Sequence, residues 1–316
     1  MEKPKTYTFA LVGAFSHLAF ANAVEPLRIA NRMSGRELYR WALMSEDGTT
    51  AMASNGTRML MDRGFDGELD RDALFLVTGN DVHQHITKPV LSLLRRARAW
   101  GIPLGTFCSG AIVFAKAGFL NGRQAALHWE FHPGFEEDFP EVELVPGVFV
   151  ADGPFLTASG GYAAADLMLH MIARDHGEDP AQVVSDQMVY NTVREGSAEQ
   201  RVSFQSRSGI RVPKLAKAVS VMQDTLDNPV STAEIASKAG LSTRQLERLF
   251  GKYLQTTPKK YLMKLRLDRA RQLLIQTEMS VIEVSTVCGF ASSSHFSRAY
   301  RNLFGVRPAE QKGVLT

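Results

Sequence analysis

The feature that most constrains this chain is a helix-turn-helix pattern that occurs twice between Ser231 and Pro308. Residues of the first copy recur as similar residues 49 positions later near the start of the unit and 50 positions later near its end. The matching pairs are Ser231 and Ser280, Glu234 and Glu283, Gly240 and Gly289, Leu246 and Phe296, Arg248 and Arg298, Phe250 and Tyr300, and Pro258 and Pro308. The repeat predicts two equivalent units in one helical region.

Each unit has the start and stop signals of short helices. Ser231 and Ser280 each precede a glutamate by three residues, a capping box that satisfies free backbone N–H groups of a first helical turn. Gly240 and Gly289 end these helices, because glycine takes the left-handed conformation without steric cost. Pro258 opens a long amphipathic helix between the units. The sequence therefore predicts an all-α region in which one stiff helix joins two helix-turn-helix modules.

The helical region is also the basic part of the chain. Residues 209–316 contain 17 lysines and arginines against 8 aspartates and glutamates, a net charge of +9. Residues 1–208 contain 19 against 25 and carry −6. A basic helical module is typical of proteins that bind double-stranded DNA. The alternative is a solvated helical bundle with scattered basic residues, but charge and duplicated geometry agree on a DNA partner.

The repeated region resembles the DNA-binding domain of AraC-family transcription regulators. The resemblance rests on the Gly289-Phe290 turn, the spacing of Phe296, Arg298 and Tyr300, and the final Pro308. It implies that two recognition helices enter successive segments of the major groove. It places base-edge and phosphate contacts on Arg244, Glu247 and Arg248 in the first unit and on Ser293, Ser294, His295 and Arg298 in the second. At Gln255 the family pattern and the second copy have glycine, so we expect a local change in that helix end.

Two of these arginines have alternative roles. The guanidinium groups of Arg248 and Arg298 can bridge guanine O6 and N7 or clamp a phosphate. The alternative is an interhelical salt bridge. Because Ser293, Ser294 and His295 are small or modestly polar, we expect the second helix to read fewer bases and to act mainly as a phosphate anchor.

Length and composition set broad limits. A chain of 316 residues with 45% hydrophobic content predicts about two domains. No apolar run approaches the roughly 18 residues of a membrane span, and residues 1–4 lead into a strand, so we expect neither a membrane segment nor a signal peptide. Cys108 and Cys288 fall in different predicted domains, which argues against a structural disulfide and favours the cytoplasm. We expect no cofactor and no bound metal.

The first 190 residues alternate strands with helices. Predicted strands cover residues 7–15, 39–44, 73–78, 103–107 and 155–157, and predicted helices cover residues 17–33, 87–100, 111–117 and 162–174. The apolar run from Ala73 to Thr78 is typical of a buried parallel strand. This alternation predicts a doubly wound α/β sheet.

Two turns of this sheet lie where ligands of α/β sheets bind. Cys108 follows a strand and precedes a glycine and a helix, the arrangement of a nucleophile elbow, and we expect the helix to lower the pKa of its thiol. Ser159-Gly160-Gly161 follows another strand. Both turns should face the carboxyl edge of the sheet.

The stretches around these turns resemble the PfpI-type, class I glutamine-amidotransferase-like fold. They are residues 105–110, 118–123, 126–129 and 157–167. The resemblance covers about residues 5–195 and implies a flavodoxin-like α/β domain. Its fusion to an AraC-type tail resembles the GlxA group of regulators, whose members include sensors of arginine, carnitine and glycine betaine. We therefore expect an effector-sensing and dimerisation domain at residues 1–195, a linker at 196–212 and a DNA-binding domain at 213–316.

The cysteine turn leaves an enzymatic alternative. Catalytic members of the amidotransferase-like fold commonly place a histidine directly after the elbow cysteine, and Ser109 stands there in this chain. His128 would have to reach Cys108 from a separate loop. We therefore expect no enzymatic activity; the alternative is a PfpI-type hydrolase or amidotransferase that uses Cys108. Cys108 can also be a pocket wall or a small residue tolerated in a tight turn, and His128 can be a structural histidine.

Aromatic residues occur at several predicted strand ends. Aromatic faces and a carboxylate attract quaternary ammonium groups, so together they would suit a small cationic or zwitterionic metabolite such as a betaine, carnitine or an amino acid. The candidate ligand-binding residues are Phe15, His17, Glu25, Phe107, Cys108, His128, Trp129 and Tyr162. The alternative is that the aromatic residues belong separately to the core.

The expected function combines both halves. We expect a sequence-specific transcription regulator, an activator, in which effector binding changes how the two subunits of a homodimer present their paired modules to two DNA half-sites. Dimerisation is implied by the family resemblance.

Overall fold

The computed structural model describes residues 3–190, 192–200, 212–228 and 230–312. Contacts divide the chain into two compact units, with the boundary after Gln200. Each unit contains hydrophobic clusters of its own. Within these described ranges, no helix combines the length and the apolar character that crossing a membrane requires.

The first unit is built around a mostly parallel sheet. Its strands are β1 (Lys5–Leu11), β2 (Tyr39–Ser45), β3 (Thr50–Met52), β4 (Arg58–Leu60), β5 (Arg63–Gly64), β6 (Ala73–Val77), β7 (Leu104–Phe107), β8 (Gln124–Ala126), β9 (Glu143–Val145), β10 (Phe149–Asp152) and β11 (Phe155–Ala158). The main sheet has the order β10-β11-β7-β6-β1-β2-β5, and β10 is its antiparallel edge strand. The pairs β3-β4 and β8-β9 form small sheets beside it.

Helices cover both faces of the main sheet. They are α1 (His17–Ser34), α2 (Lys88–Ala99), α3 (Gly110–Lys116), α4 (His132–Asp138), α5 (Ala163–His176) and α6 (Glu178–Gln187). Successive strand residues point to opposite faces, so Phe75 packs in the cluster that contains α1, α5 and α6, and Leu76 packs in the cluster that contains α2, α3 and α4. The doubly wound α/β sheet predicted from the sequence is confirmed.

The strand order reverses at β1, which places a crevice at the carboxyl edge of the sheet. β1 pairs with β2 on one side and with β6 on the other, and ligands of open α/β sheets bind at such a reversal. The prediction that the first strand reaches Phe15 is wrong, because β1 ends at Leu11. The chain then leaves the sheet: Ala14 adopts φ 54° and its N–H donates to the carbonyl of Met52. Residues 12–16 therefore form a loop at the crevice.

The second unit is helical, as predicted. Its helices are α7 (Pro213–Gln223), α8 (Thr232–Lys238), α9 (Thr243–Leu254), α10 (Pro258–Gln276), α11 (Val281–Val287), α12 (Ser293–Phe304) and α13 (Pro308–Gln311). One apolar cluster joins α7, α8, α9 and the first half of α10, and another joins the second half of α10 to α11 and α12. The helix α10 thus connects two small cores, and each core holds one helix-turn-helix module.

The linker expected at residues 196–212 has a more structured beginning than its polar composition indicated. Residues 196–200 pack on the first unit, where the side chain of Gln200 donates to two backbone carbonyls. Most of the expected linker, residues 201–211, lies outside the described residues, so for them the linker remains a prediction.

Candidate nucleic-acid interface and ligand site

The first helix-turn-helix module exposes a polar face of α9. Ser242 caps this helix in a capping box with Gln245, and the opposite face is fixed by the completely buried Leu246 and Phe250. Residues three and four positions apart lie on one side of a helix. Arg244, Glu247 and Arg248 therefore share one face, and all three are exposed.

The second module repeats this arrangement on α12. Ser292 caps the helix through the backbone N–H of His295, and Phe296 and Tyr300 are completely buried. The four residues expected to contact DNA here are exposed, and they are Ser293, Ser294, His295 and Arg298. The His295 ring lies 5.9 Å from the ring of Phe290, which belongs to the preceding turn. This contact positions the start of α12.

The interhelical salt bridge that is the alternative role of Arg248 and Arg298 does not form among the described residues. Within the described residues, neither Arg248 nor Arg298 forms an ion pair. Both guanidinium groups keep the donors that a guanine edge or a phosphate would accept from. Since α10 has 19 residues, it is about 28 Å long, comparable with the roughly 34 Å of one turn of duplex DNA.

The ends of α9 and α12 differ in sequence but agree in conformation. Gln255 follows α9 with φ 51°, and Gly305 follows α12 with φ 78°, so both residues are left-handed C-caps. The backbone conformation of the helix end is therefore the same with glutamine as with glycine. The difference is that Gln255 has a Cβ in a left-handed conformation that favours glycine, so its backbone is strained.

The Cys108 turn and the Ser159-Gly160-Gly161 turn both follow strands at the carboxyl edge of the sheet, as predicted, and the structure also places them in contact. Cys108 has φ 63°, and its backbone N–H donates to the carbonyl of Ala158 at 3.0 Å. A Cβ on Gly160 would come within 2.8 Å of the Cα of Cys108, so only glycine fits there.

Ser109, completely buried, binds Thr78 Oγ1 at 2.9 Å and the carbonyl of Gly79 at 2.5 Å. Ser109 is therefore a structural residue that ties this turn to the end of β6.

The expected lowering of the Cys108 pKa is wrong. Burial raises the pKa of the Cys108 thiol to about 11, and the nearby carboxylate of Glu130 acts in the same direction. The backbone N–H of Ser109 opposes them. At neutral pH the sulfur is therefore a protonated thiol and a poor nucleophile.

His128 lies beside Cys108 through its backbone, whose N–H donates to the carbonyl of Cys108 at 3.3 Å. In the ring, Nδ1 accepts from the backbone N–H of Glu130 at 3.4 Å, and the ring centroid lies 5.4 Å from that of the Trp129 ring. Burial and the neighbouring His132 lower the pKa of His128. Through these contacts Cys108, His128 and Trp129 lie next to one another. Glu130, beside them, was not recognised from the sequence.

The remaining candidate ligand residues do not complete a single aromatic cage. Phe15 and Phe107 are completely buried: their rings pack on Phe20 and Phe75, which leaves no face open to a cavity that admits water. Both rings therefore pack in the core, as the alternative reading expects, and a direct role of either residue in ligand binding stays a prediction. The cause is the early end of β1 and the inward direction of the last residue of β7.

Three other candidates lie at the surface. His17 begins α1, and its Nδ1 lies 3.2 Å from the side-chain amide of Asn55. Glu25 lies two turns further along α1 and pairs with Arg28 at 2.5 Å. Tyr162 is 59% exposed and stacks on Tyr190 at 6.1 Å. Glu25 therefore has a local cationic partner, and its carboxylate is not committed to the crevice.

A separate cavity of about 310 Å³ opens at the carboxyl ends of β1 and β2. Its polar lining includes Ser45, Glu46, Asp47 and His85, and its apolar lining includes Phe65. Hydrogen bonds from Thr49, Ser45 and Thr50 lower the pKa of Asp47, so this carboxylate stays charged. No local sequence pattern indicates this cavity, because its lining residues come from segments that are far apart in the chain.

Comparison with known proteins agrees with this architecture. Residues 235–312 match the family described as a helix-turn-helix domain, and residues 14–174 match the DJ-1/PfpI family. The HTH-type transcriptional regulator GbdR of Pseudomonas aeruginosa is 40% identical over 309 residues, which cover 98% of this chain and 84% of GbdR. The HTH-type transcriptional regulator GlxA of Rhizobium meliloti is 36% identical over 301 residues, which cover 95% of this chain and 93% of GlxA.

A solved structure supports the same assignment. The crystal structure of an AraC family transcriptional regulator from Pseudomonas putida covers 58% of this chain and 100% of its own, with 25% identity and a TM-score of 0.52. The resemblances found in the sequence are thus confirmed over nearly the whole chain. The protein belongs to the GlxA-like, AraC-family transcription regulators, in which a DJ-1/PfpI-type α/β domain precedes a DNA-binding helix-turn-helix domain.

Proposed function

We propose that this regulator contacts DNA through two polar helix faces, one on α9 and one on α12. The contacting residues are Arg244, Glu247, Arg248, Ser293, Ser294, His295 and Arg298. The observation that carries the proposal is that all seven side chains are exposed, on helices whose opposite faces are buried in separate cores. The arginines supply bidentate contacts to guanine or phosphate, and the serines and His295 supply phosphate contacts at the start of α12.

The α/β domain, at residues 1–195, senses a small cationic or zwitterionic metabolite of the betaine, carnitine or amino-acid type. The neighbouring Cys108, His128 and Trp129 form the core of this site. The rings of His128 and Trp129 are partly exposed, and the Glu130 carboxylate, which is 41% exposed, adds a negative charge. Aromatic faces beside a carboxylate attract a quaternary or primary ammonium group.

The protein acts as a regulator without hydrolase or amidotransferase activity. The raised pKa of Cys108 keeps the thiol protonated, and Nδ1 of His128 accepts a hydrogen bond from the backbone N–H of Glu130. A cysteine nucleophile needs a base that removes its proton. Regulation takes place in the cytoplasm, where a homodimer that is switched by the effector binds two half-sites and activates transcription.

Fluorescence anisotropy with the purified full-length chain tests this function. The duplex is the promoter region upstream of the neighbouring operon, and glycine betaine, carnitine, dimethylglycine and arginine are added in turn. We expect salt-dependent binding that exceeds binding to bulk competitor DNA, is weakened by Arg244→Ala, and responds to one of these metabolites. Binding no stronger than to competitor would overturn the DNA contacts, and no calorimetric heat from any of the metabolites would overturn the effector class. Sedimentation of the free and bound protein tests the dimer.

A further inference from the structure

The last described residues of the α/β unit, 192–200, form a segment that we name the exit strap. It leads directly into residues 201–211 and the helical unit. Near its start, Arg194 pairs with Asp166 of α5 at 2.7 Å. The strap is thus held on the domain before the chain leaves it.

The middle of the strap lies unusually close to β10 and the turn before it. The carbonyl of Gly196 accepts from the N–H of Phe149 at 3.4 Å. A Cβ on Gly147 would come within 2.3 Å of that same carbonyl, and a Cβ on Gly196 would come within 2.7 Å of the carbonyl of Phe149. Glu199 forms an antiparallel bridge with Gly147. The strap therefore fits against the domain with no space between the two backbones.

The end of the strap is fixed by one side-chain amide. Gln200 Oε1 accepts from the N–H of Trp129 at 2.9 Å, and Gln200 Nε2 donates to the carbonyls of Leu127 and Gly147, both at 2.8 Å. These three bonds join residues that are 71, 73 and 53 positions apart in the chain. His128, which lies between Leu127 and Trp129 in the chain, donates its backbone N–H to the carbonyl of Cys108. A continuous path of hydrogen-bonded backbone therefore runs from Cys108 to Gln200, the last residue of the exit strap.

We propose that Gln200 is a latch that couples the Cys108-His128-Trp129 site to the interdomain segment, and that movement of residues 127–129 releases the exit strap. The proposal rests on the effector site described under the proposed function. All three hydrogen bonds of the amide are near ideal length, and two of them go to the backbone of Leu127 and Trp129. A shift of about 1 Å in the 127–129 backbone would break these two and leave the bond to Gly147 as the last side-chain contact of Gln200. An effector that prefers the shifted arrangement would then free the end of the strap.

Hydrogen exchange of the full-length chain tests the latch itself without an effector. In Gln200→Ala the amide of Trp129 loses its acceptor, and we expect its exchange to be at least tenfold faster. Gln200→Glu keeps an acceptor for Trp129 but replaces the two donated bonds with a carboxylate facing two carbonyls, so we expect the strap to loosen there as well. Gln124→Ala is the matched control, because Gln124 Nε2 donates to the exposed side chain of Glu143. Unchanged exchange at Trp129 in Gln200→Ala would overturn the latch.

DNA affinity tests the coupling. Gln200→Ala changes no residue of the helical unit, so a merely structural contact would leave binding of the promoter duplex as in the wild type. We expect the affinity of the effector-free variant to change at least fivefold, the lower range of known coupling between sites, while Gln124→Ala stays within twofold of wild type. Faster exchange at Trp129 with unaltered DNA affinity would overturn the coupling.

The two proposals fail in different ways. If none of the four metabolites binds the wild type but Gln200→Ala still changes DNA affinity, the effector class is wrong and the latch stands. If glycine betaine or another metabolite shifts wild-type DNA binding and shifts that of Gln200→Ala by the same factor, the effector site stands and the latch is wrong.

Discussion

The guanidinium of Arg194 donates to Oδ2 of Asp166 from both Nε, at 2.9 Å, and Nη2, at 2.7 Å. Asp166 is completely buried in α5, and its other oxygen accepts from the hydroxyl of Tyr190 and the backbone N–H of Arg194. A buried carboxylate requires such partners, because it has lost the hydration that stabilises its charge in water. The start of the exit strap is therefore part of what stabilises the α/β unit.

Arg194→Met keeps an apolar stem but removes the guanidinium, so it leaves the Asp166 charge only partly compensated. We expect a loss of about 3 kcal/mol in the free energy of unfolding, at the low end for a broken buried ion pair because Arg194 is partly exposed. The measurement is the urea midpoint of the α/β unit. Arg174→Met is the control: its side chain is 52% exposed and pairs with Asp175 at 3.2 Å, so we expect a loss below about 1 kcal/mol. Equal losses in the two variants would contradict the assignment.

The helix ends at Gln255 and Gly305 provide a reciprocal test of backbone strain. We expect Gln255→Gly to stabilise the helical unit by about 1 kcal/mol, because glycine removes the clash of a Cβ in the left-handed conformation. Gly305→Ala should destabilise it by a similar amount. Thermal unfolding followed by the helical circular dichroism signal measures both. Gly251→Ala is the control within α9, where a Cβ has open space around it; there a gain is expected from helix propensity alone.

Arg248 and Arg298 occupy equivalent positions in the two modules but should differ in what they read. Loss of Arg298 removes a phosphate contact, so Arg298→Ala should weaken binding equally for matched and mutated duplexes and reduce the salt slope by about 1. Loss of Arg248 should cost about 1–3 kcal/mol on the matched duplex and relax selectivity at one base pair. Anisotropy titrations over a range of salt concentrations separate the two. Arg58→Ala, in the hairpin strand β4, is the charge-matched control; if it has the same effect, net charge rather than position is responsible.

The sequence predicted most of what depends on local chemistry. The capping boxes at Ser231 and Ser280 and the glycines at 240 and 289 specify helix ends within a few residues, and the structure has them in those places. The order of strands and helices in the first unit followed from apolar periodicity for the same reason. Such signals involve neighbours along the chain, so one sequence is enough to recognise them.

What the sequence did not reveal depends on tertiary contacts. Phe15 and Phe107 were expected to face a ligand, but whether a strand-end ring points into the core depends on where the strand stops and what covers it. The turn at Cys108 is recognisable from the sequence. The raised pKa of the Cys108 thiol is not, because it results from burial by residues that are distant in the chain. Gln200 lies in a polar stretch without periodicity, and its three partners are more than 50 residues away. No local pattern could have identified it.

The thiol of Cys108 gives a pH-dependent test that separates regulator from enzyme. Because burial raises its pKa to about 11, only about 1 in 10⁴ of these groups is a thiolate at pH 7. Since the thiolate is the form that reacts, labelling of the native protein by iodoacetamide should be very slow at pH 7 and should accelerate about tenfold per pH unit as long as the pH stays below about 11.

Mass spectrometry of the peptide that contains Cys108 gives the rate, and a Cys108→Ser variant gives the background from Cys288, which is also buried. Urea-unfolded protein, in which the thiol has its ordinary pKa, should label faster at pH 8 than the native chain. A labelling rate that is already maximal at pH 7 would mean a depressed pKa, and Cys108 would then have the reactivity that the hydrolase alternative requires.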